Sequence, residues 1–464
     1  MIYGNLLAKL RGGPAVKVGI IGAGNFATAT ITQCAAIPDC QVTFIADAKL
    51  EASQNACRLA GWDRRHFEAV ASEADLRRVR KEGRIAITTA PGLMSACDMD
   101  VLVEATGDAE AGARHALMAI SLGRHVVMVN KETDSVVGPI LARRAGAAGV
   151  VYTQADGDQP ALMVALCDWA RLLGLEIVAA GKSHDQEMVF DRRAGRVGFG
   201  QESFPVEADW IKALDGARGD VAKKIELRRA LFQDRIAVAN YDRLEMVSVA
   251  NGTGLAPLTG PCAEPILRTR EIPEALCLEV EGGILRHAGV LDTVCSLLEP
   301  DIPTMGGGVF VVVHCANEYS RRILTSKGLL ANPAGTAAMI YRPHHLCGVE
   351  TPISILSAAR LGVPTGARDV RPLWDVVAVA RRDLAAGTIL GGNLEYSDQL
   401  SSRYETHRLT RQQGLLPLGM SAGLRLTRAV PAGATLNQEA VDIRRDSLLC
   451  RLREEQEAEF ADQP

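Results

Sequence analysis

The chain contains 464 residues, with 47% hydrophobic residues, 23% charged residues and a formal net charge of −4. This length predicts two or three domains, and the weak net charge provides no basic surface for nucleic acid or anionic lipid. We find no signal-peptide pattern and no bilayer-spanning apolar stretch, and the eleven cysteines lack Cys-x-x-Cys spacing. These features predict a cytoplasmic globular protein with reduced thiols and without a nucleic-acid or membrane partner.

The segment from Val16 to Asp47 has the order strand, glycine turn, helix, strand and acid. That order is typical of a dinucleotide-binding βαβ unit, although a glycine turn without a cofactor is the alternative. The turn glycines let the backbone approach a pyrophosphate, and the helix N-terminus favours its negative charge. We therefore predict that the cofactor binds at Gly22, Gly24, Asn25, Phe26 and Ala27.

The acid at the end of the second strand bears on the choice of cofactor. A carboxylate at Asp47 would accept hydrogen bonds from the ribose hydroxyls of NAD and repel the extra phosphate of NADP. Lys49 lies two residues later and could hold that phosphate. The sequence favours NAD and leaves NADP open.

Two further apolar strands end in turns that are expected at the same edge of the sheet. The strand from Val101 to Ala105 is followed by Thr106 and Gly107, and the strand from His125 to Val129 is followed by Asn130 and Lys131. Ligands bind beyond the carboxyl ends of parallel strands. This places Ala105, Thr106, Gly107 and Asn130 beside the cofactor. Lys131 is a catalytic candidate, the alternative being a surface lysine that caps the strand.

The segment that follows supplies the other catalytic candidates. Asp156 and Asp158 precede an apolar helix and either cap it or bind substrate hydroxyls or a divalent cation. Lys182 ends a buried-type strand, and burial would lower the pKa of its ammonium towards neutrality, as a general acid or base requires. The alternative for Lys182 is an ion pair with Asp185 or Asp191. No metal ligands are assigned, although a rearranging mechanism would direct attention to Asp156, Asp158, Asp185 and Glu187.

From about residue 372 the sequence pattern changes, and a short internal repeat appears. The segment Asp383–Leu390 recurs as Ala429–Leu436, each with an Ala-Gly turn between apolar residues. This pattern predicts a compact β-rich module. The segment resembles the SAF module of sialic acid synthases and type III antifreeze proteins, which in some enzymes covers an active site.

Taken together, these motifs resemble the homoserine dehydrogenase-like oxidoreductases. Beyond the turns already named, the chain is similar over some 400 residues to a narrower group, the 1-deoxy-D-xylulose 5-phosphate reductoisomerase-like enzymes. The stretches that carry this similarity are Ala155–Pro160, Ala180–Lys182, Ala250–Leu255, Gly308–Val312 and Tyr341–Leu346. The resemblance implies a homodimer or homotetramer assembled through the second domain. It also implies that His345, together with Arg342 three residues earlier, contacts the substrate, a structural histidine being the alternative.

The expectation is therefore an α/β protein with three domains. These are an NAD(P)-binding Rossmann domain (residues 1–155), an α+β substrate and dimerisation domain (156–371) and a SAF-like domain (372–464). The function expected is hydride transfer at a CH–OH group of a small polyhydroxylated or phosphorylated carbohydrate-type substrate, with a possible coupled rearrangement. The alternatives are a simple dehydrogenase of homoserine type and a cofactor-bound sensor without catalysis.

Overall fold

The computed structural model describes residues 2–8, 13–207, 210–214, 220–232, 239–300, 304–391, 394 and 397–461. The chain forms two compact units. The first contains Met1–Ala161 and Leu346–Pro464, and the second contains Leu162–His345. The first unit is thus built from both ends of the chain, and the three-domain division stays a prediction.

The first part of the chain alternates strands and helices, as the sequence predicts. Its elements are α1 (Ile2–Ala8), β1 (Val16–Ile21), α2 (Asn25–Ala36), β2 (Cys40–Ala46), α3 (Leu50–Leu59), β3 (Phe67–Ala69), α4 (Glu73–Lys81), β4 (Ile85–Thr88), β5 (Val101–Glu104), α5 (Ala109–Ser121), β6 (His125–Met128), α6 (Lys131–Ala147), β7 (Tyr152–Gln154) and α7 (Gln159–Leu172).

The seven strands form one parallel sheet in the order β3-β4-β2-β1-β5-β6-β7. The central strands carry continuous apolar runs because helices cover both faces of such a sheet. Val18, Ile20 and Val103 are completely buried in this core. The predicted parallel, Rossmann-like sheet is confirmed. Gly22 directly follows the end of β1, and Asp47 directly follows the end of β2.

The second unit contains a mixed sheet with helices. Its elements are β8 (Glu176–Ser183), β9 (Met188–Asp191), β10 (Arg196–Phe199), β11 (Glu202–Pro205), α8 (Trp210–Leu214), α9 (Val221–Phe232), α10 (Asn240–Thr253), β12 (Ala256–Pro257), β13 (Ile266–Leu267), α11 (Ile272–Ala275), β14 (Val290–Leu298), β15 (Val309–His314), α12 (Glu318–Ser326), β16 (Leu330–Ala331) and β17 (Ala337–Arg342).

In this sheet β8 lies between β14, to which it is parallel, and β15, to which it is antiparallel. Helix α10 begins at Asn240 and ends at Thr253, and the next residue, Gly254, caps it in the left-handed region with a φ of +75°. By itself, the run Glu245–Asn251 before Gly252 predicts a shorter helix that ends at that glycine. The helix is longer because Gly254, rather than Gly252, takes the left-handed conformation.

The chain then returns to the first unit through α13 (Thr351–Leu356), β18 (Trp374–Ala380), β19 (Leu400–Thr406), α14 (His407–Gln413) and α15 (Leu448–Glu459). Strands β18 and β19 form an antiparallel pair. The two repeat copies hydrogen-bond to each other through Leu384 and Val430, which exchange N–H···O bonds of 2.8 Å. Each copy turns at a glycine with positive φ, Gly387 at +84° and Gly433 at +78°.

Among the described residues, no helix combines the length and apolar character needed to cross a bilayer.

Candidate active site

The glycine turn after β1 has the geometry of a dinucleotide-binding loop. Gly22 has a φ of +95°, and helix α2 begins at Asn25. A Cβ built on Gly24 would meet no atom within 4 Å, so the backbone at this position is open to a ligand. Ala27 is buried against the sheet. Of the predicted cofactor contacts, this turn brings together Gly22, Gly24, Asn25, Phe26 and Ala27.

Asp47 is tied to this turn by hydrogen bonds. Its carboxylate accepts the backbone N–H of Ala23 and that of Lys49, each at 2.8 Å. The acid therefore holds the glycine turn in place, and its negative charge stays at the end of β2. The side chain of Lys49 is exposed.

A buried carboxylate, Glu104, fixes the turn that follows β5. It accepts hydrogen bonds from Thr106 Oγ1 at 2.7 Å and from Asn130 Nδ2 at 3.0 Å, and His115 Nδ1 lies 3.1 Å away. The other amide atom of Asn130, Oδ1, accepts the N–H of Thr133 and so caps α6. The side chain of Asn130 is thus engaged within the protein. This network brings together four predicted cofactor contacts, Ala105, Thr106, Gly107 and Asn130.

Lys131 is the first residue of α6 and is partly exposed. Strand β6 ends at Met128, so Lys131 lies at the carboxyl edge of the parallel sheet, where doubly wound folds bind their ligands. Its catalytic role stays a prediction.

Asp156 and Asp158 occupy a buried turn between β7 and α7. The N–H of Asp156 donates to Ser354 Oγ at 2.7 Å, and its carbonyl accepts from Thr351 Oγ1 at 3.0 Å. Asp158 Oδ1 accepts the N–H of Gln159, the first residue of α7, at 3.1 Å. Helix α13 therefore fixes this turn, and the roles of Asp156 and Asp158 stay predictions.

In the second unit, Lys182 lies at the centre of a buried cluster of charges. Its Nζ atom is 2.6 Å from Asp242 Oδ1 and also contacts the carboxylate of Glu245. The ammonium lies 5.4 Å from the ring centroid of Tyr241, within cation–π range. Strand β8 supplies the lysine, and α10 supplies both acids and the tyrosine.

The predicted lowering of the Lys182 pKa is wrong. Burial alone would lower the pKa of this ammonium, but Asp242 and Glu245 outweigh burial and raise the pKa above that of an ordinary lysine. Lys182 therefore stays protonated throughout the neutral range. It can donate hydrogen bonds and stabilise negative charge, but it does not serve as a base.

His184 lies beside the same acid. Its Nε2 atom is 3.1 Å from Asp242 Oδ2. His184 directly follows the last residue of β8, so Lys182 and His184 both reach the carboxylate of Asp242. Within the described part of the chain, His184 Nδ1 and Thr293 Oγ1 are buried without a hydrogen-bond partner. An unsatisfied buried polar atom costs about 1–3 kcal/mol, so each one calls for an explanation, and a substrate group is one.

His345 and Asp185 come together at Gly307. A Cβ on Gly307 would lie 2.4 Å from His345 Nδ1 and 2.7 Å from Asp185 Oδ1. The carboxylate of Glu187 accepts the N–H of Met305 at 3.1 Å. Among the described residues, no three His, Cys, Asp or Glu side chains are grouped to hold a metal ion.

Asp242, Glu245 and His184 are not among the site residues predicted from the sequence. Two patterns could have found them. Asp242 and Glu245 are acids three residues apart in one helix, and this spacing puts both on one face. His184 lies two residues after Lys182, and the period of two in an extended chain would give both a shared face.

The family model described as "Oxidoreductase DRL, catalytic domain" matches residues 157–351. A comparison with curated protein sequences gave no match. Several solved structures are similar at low identity. GenD2 from gentamicin A biosynthesis, solved with NAD, is 14% identical, with 77% of this chain and 90% of that chain covered and a TM-score of 0.37.

Two further structures match smaller parts of the chain. The 1-deoxy-D-xylulose 5-phosphate reductoisomerase of Zymomonas mobilis, solved with NADPH, is 18% identical, covering 37% of this chain and 46% of that chain with a TM-score of 0.28. The WlbA dehydrogenase of Bordetella pertussis, solved with NADH and UDP-GlcNAcA, is 18% identical, covering 39% and 48% with a TM-score of 0.27. TM-scores this low give no information about the substrate of this chain. The chain is an oxidoreductase, and the stretch that matches the family model is residues 157–351.

Proposed function

We propose that the chain is an NAD(H)-dependent oxidoreductase that acts on a CH–OH group of a small, polyhydroxylated, carbohydrate-type substrate. The observation that carries this proposal is the buried cluster of Lys182, His184 and Asp242, in which His184 Nδ1 has no hydrogen-bond partner among the described residues. A cation, an imidazole and a carboxylate at one point are the groups that carbinol oxidation needs.

The glycine turn of the first unit fits a nicotinamide dinucleotide. The N-terminus of α2 and the open backbone at Gly24 would hold the pyrophosphate. The carboxylate of Asp47 would accept hydrogen bonds from the ribose hydroxyls. Bound NAD would supply the acceptor for the hydride. We propose NAD rather than NADP because Asp47 keeps a negative charge beside the turn.

In the second unit, the buried cluster would take the hydroxyl proton and stabilise the charge on the reacting oxygen. His184 Nδ1 would take the hydroxyl proton, and Asp242 beside Nε2 would stabilise the imidazolium that forms. Lys182 remains an ammonium with three donors and would stabilise the negative charge on the reacting oxygen. This assignment makes His184 the base and Lys182 the electrostatic partner.

A neighbouring hydroxyl of the substrate would bind at Thr293. Thr293 pairs in register with Lys182 across β14 and β8, and paired residues in parallel strands point to the same face. Its buried Oγ1 can both donate and accept. This supports a substrate with more than one hydroxyl group.

The finer features implied by the resemblance also belong to this proposal. They are a homoserine dehydrogenase-like plan, a coupled rearrangement as in the reductoisomerase-like enzymes, and a SAF-like C-terminal segment. Identifying the carbon skeleton of the product decides between simple oxidation and rearrangement. The homo-oligomer and the cytoplasmic location stay predictions.

The test uses purified full-length protein. NADH binding is followed by its fluorescence, and turnover is followed at the nicotinamide absorbance with a panel of polyols and aldonates. We expect His184→Gln to lower kcat by about 10²–10⁴-fold while NADH binding persists. The exposed His287→Gln is the matched control. Cofactor binding without turnover across the panel would favour the sensor, and full activity of His184→Gln would refute the assigned base.

A further inference from the structure

The first turns of α6, which carry Asn130 and Lys131, are covered by residues from the C-terminal part of the chain. The turn at Gly419 packs directly against them. A Cβ on Gly419 would lie 2.7 Å from the carbonyl oxygen of Glu132 and 2.7 Å from Val136 Cγ2. Gly419, which is 288 positions after Lys131, therefore limits the space available to the first turn of α6.

A second contact enters the backbone of α6 itself. The side-chain amide of Gln456 donates to the carbonyl oxygen of Val136 at 3.0 Å and accepts the N–H of Ile140 at 3.1 Å. A regular α-helix joins these two backbone groups directly. Pro139, which lies between them, lacks an N–H and perturbs the ladder at this point. Gln456 thus bridges the helix where its own hydrogen bonding is weakest.

Helix α15, which carries Gln456, is held firmly. Arg453 donates to both carboxylate oxygens of Asp375 at 2.7 Å and is itself buried. At the start of α15, Glu110 of α5 accepts the N–H groups of Leu448 and Leu449 at 3.1 and 2.8 Å. Helix α15 is therefore fixed to the two helices that follow β5 and β6.

We propose that Gly419 and Gln456 are positioning residues that set the place of Lys131, and through it the rate of the reaction, without touching the reacting atoms. The inference rests on the proposed function, in which the parallel sheet holds NAD, and on the predicted role of Lys131 at the carboxyl edge of that sheet. It predicts that small changes at these two C-terminal positions act on catalysis more than on the stability of the whole chain.

The first test is Gly419→Ala against Gly391→Ala. Gly391 lies in the same segment, and a Cβ there would make only an ordinary contact at 3.6 Å. We expect Gly419→Ala to lower kcat/KM by about 10–100-fold, because a small displacement of a positioned group has an effect of this size. Hydrogen exchange of residues 131–140 should rise in Gly419→Ala and stay unchanged in Gly391→Ala.

The second test is Gln456→Met, which keeps the length of the side chain and removes both hydrogen bonds. The matched control on the same helix is the exposed Glu454→Met. We expect faster exchange of the Ile140 amide and a fall in kcat larger than the change in the dissociation constant of NADH. Hydrogen exchange of the amides is measured without substrate, so it tests the contact with α6 even if the proposed reaction is wrong. Equal behaviour of each variant and its control, in exchange and in kcat, would overturn it.

Discussion

Gly22 lies so close to the turn after β5 that a Cβ at position 22 would be 2.3 Å from the carbonyl oxygen of Ala105. Its φ of +95° independently requires glycine. Gly24, two residues later, has φ −72° and open space around it. One glycine is therefore needed by the fold, and the other is needed only if a ligand approaches.

This difference separates folding from cofactor binding. We expect Gly22→Ala to lower the free energy of unfolding by about 1–3 kcal/mol, because it forces strain and a steric clash. Gly24→Ala should leave the melting temperature unchanged and weaken NADH binding by about tenfold, or about 1.4 kcal/mol. Thermal unfolding and NADH fluorescence measure the two effects. Unchanged NADH affinity in Gly24→Ala would contradict the assigned pyrophosphate site.

The charge of Asp47 can be separated from its hydrogen bond to the glycine turn, although Asn loses the second acceptor, which faces the N–H of Lys49. Asp47→Asn keeps an acceptor for the N–H of Ala23 but removes the negative charge. We expect the ratio of kcat/KM for NAD to that for NADP to fall by about tenfold, since repulsion of the extra phosphate is lost. Lys49→Gln is the companion variant and should shift the ratio the other way. A native enzyme that clearly prefers NADP would refute the cofactor assignment.

Removing the buried ammonium should affect both rate and stability. Lys182→Met leaves Asp242 and Glu245 without their cation, so we expect a loss of about 3–5 kcal/mol in unfolding free energy. We also expect a fall in kcat of about 10²–10³-fold. Without the ammonium, burial favours the neutral carboxyl groups, so the variant should lose further stability as pH rises.

The control for this variant is Lys223→Met, because Lys223 is exposed and paired only at the surface of α9. Urea unfolding across neutral pH and steady-state rates are the measurements. A Lys182→Met protein as stable and as active as Lys223→Met would show that the buried cluster has neither role.

The change in the free energy of unfolding at acid pH should depend on Asp375. Burial would raise the pKa of this carboxyl, but Arg453 and His407 outweigh burial and lower it. A lowered pKa stabilises the fold at pH values above the unfolded pKa of about 3.9, and this contribution is lost as pH falls further. Asp375→Asn should therefore cost about 3–5 kcal/mol at neutral pH, and the difference from wild type should shrink in acid.

Urea unfolding of Asp375→Asn at neutral and acid pH measures this effect. Asp369→Asn, at an exposed ion pair with Arg371, is the control and should change little. A difference from wild type that stays constant with pH would show that the charge of Asp375 is not the cause.

The sequence was sufficient to predict the parallel sheet and its glycine turn, because these depend on residues that are close in the chain. The run from Val16 to Ile21, the turn at Gly22 and the acid at Asp47 are local signals. The sign of the Lys182 pKa was not predictable in the same way. It depends on Asp242 and Glu245, which lie some sixty residues later, and burial alone gives the opposite sign.

The contact between Gln456 and α6 illustrates the same limit at longer range. Nothing near Val136 indicates that a glutamine 320 residues later completes its hydrogen bonding. Pro139 signals a weak point in the helix but does not identify the side chain that compensates for it. Such pairings require the folded chain, because tertiary packing determines them.

The return of the chain to the first unit also determines the order in which this protein can mature on the ribosome. The second unit is continuous in sequence, so it can fold as soon as His345 has left the exit tunnel. The nucleotide-binding sheet must wait, with its helices α5 and α6 incompletely covered, until α15 has been made. At roughly 5–20 residues per second, about 300 residues separate α6 from α15, so this interval lasts tens of seconds at most. Chaperone binding to nascent chains should therefore be strongest in this interval.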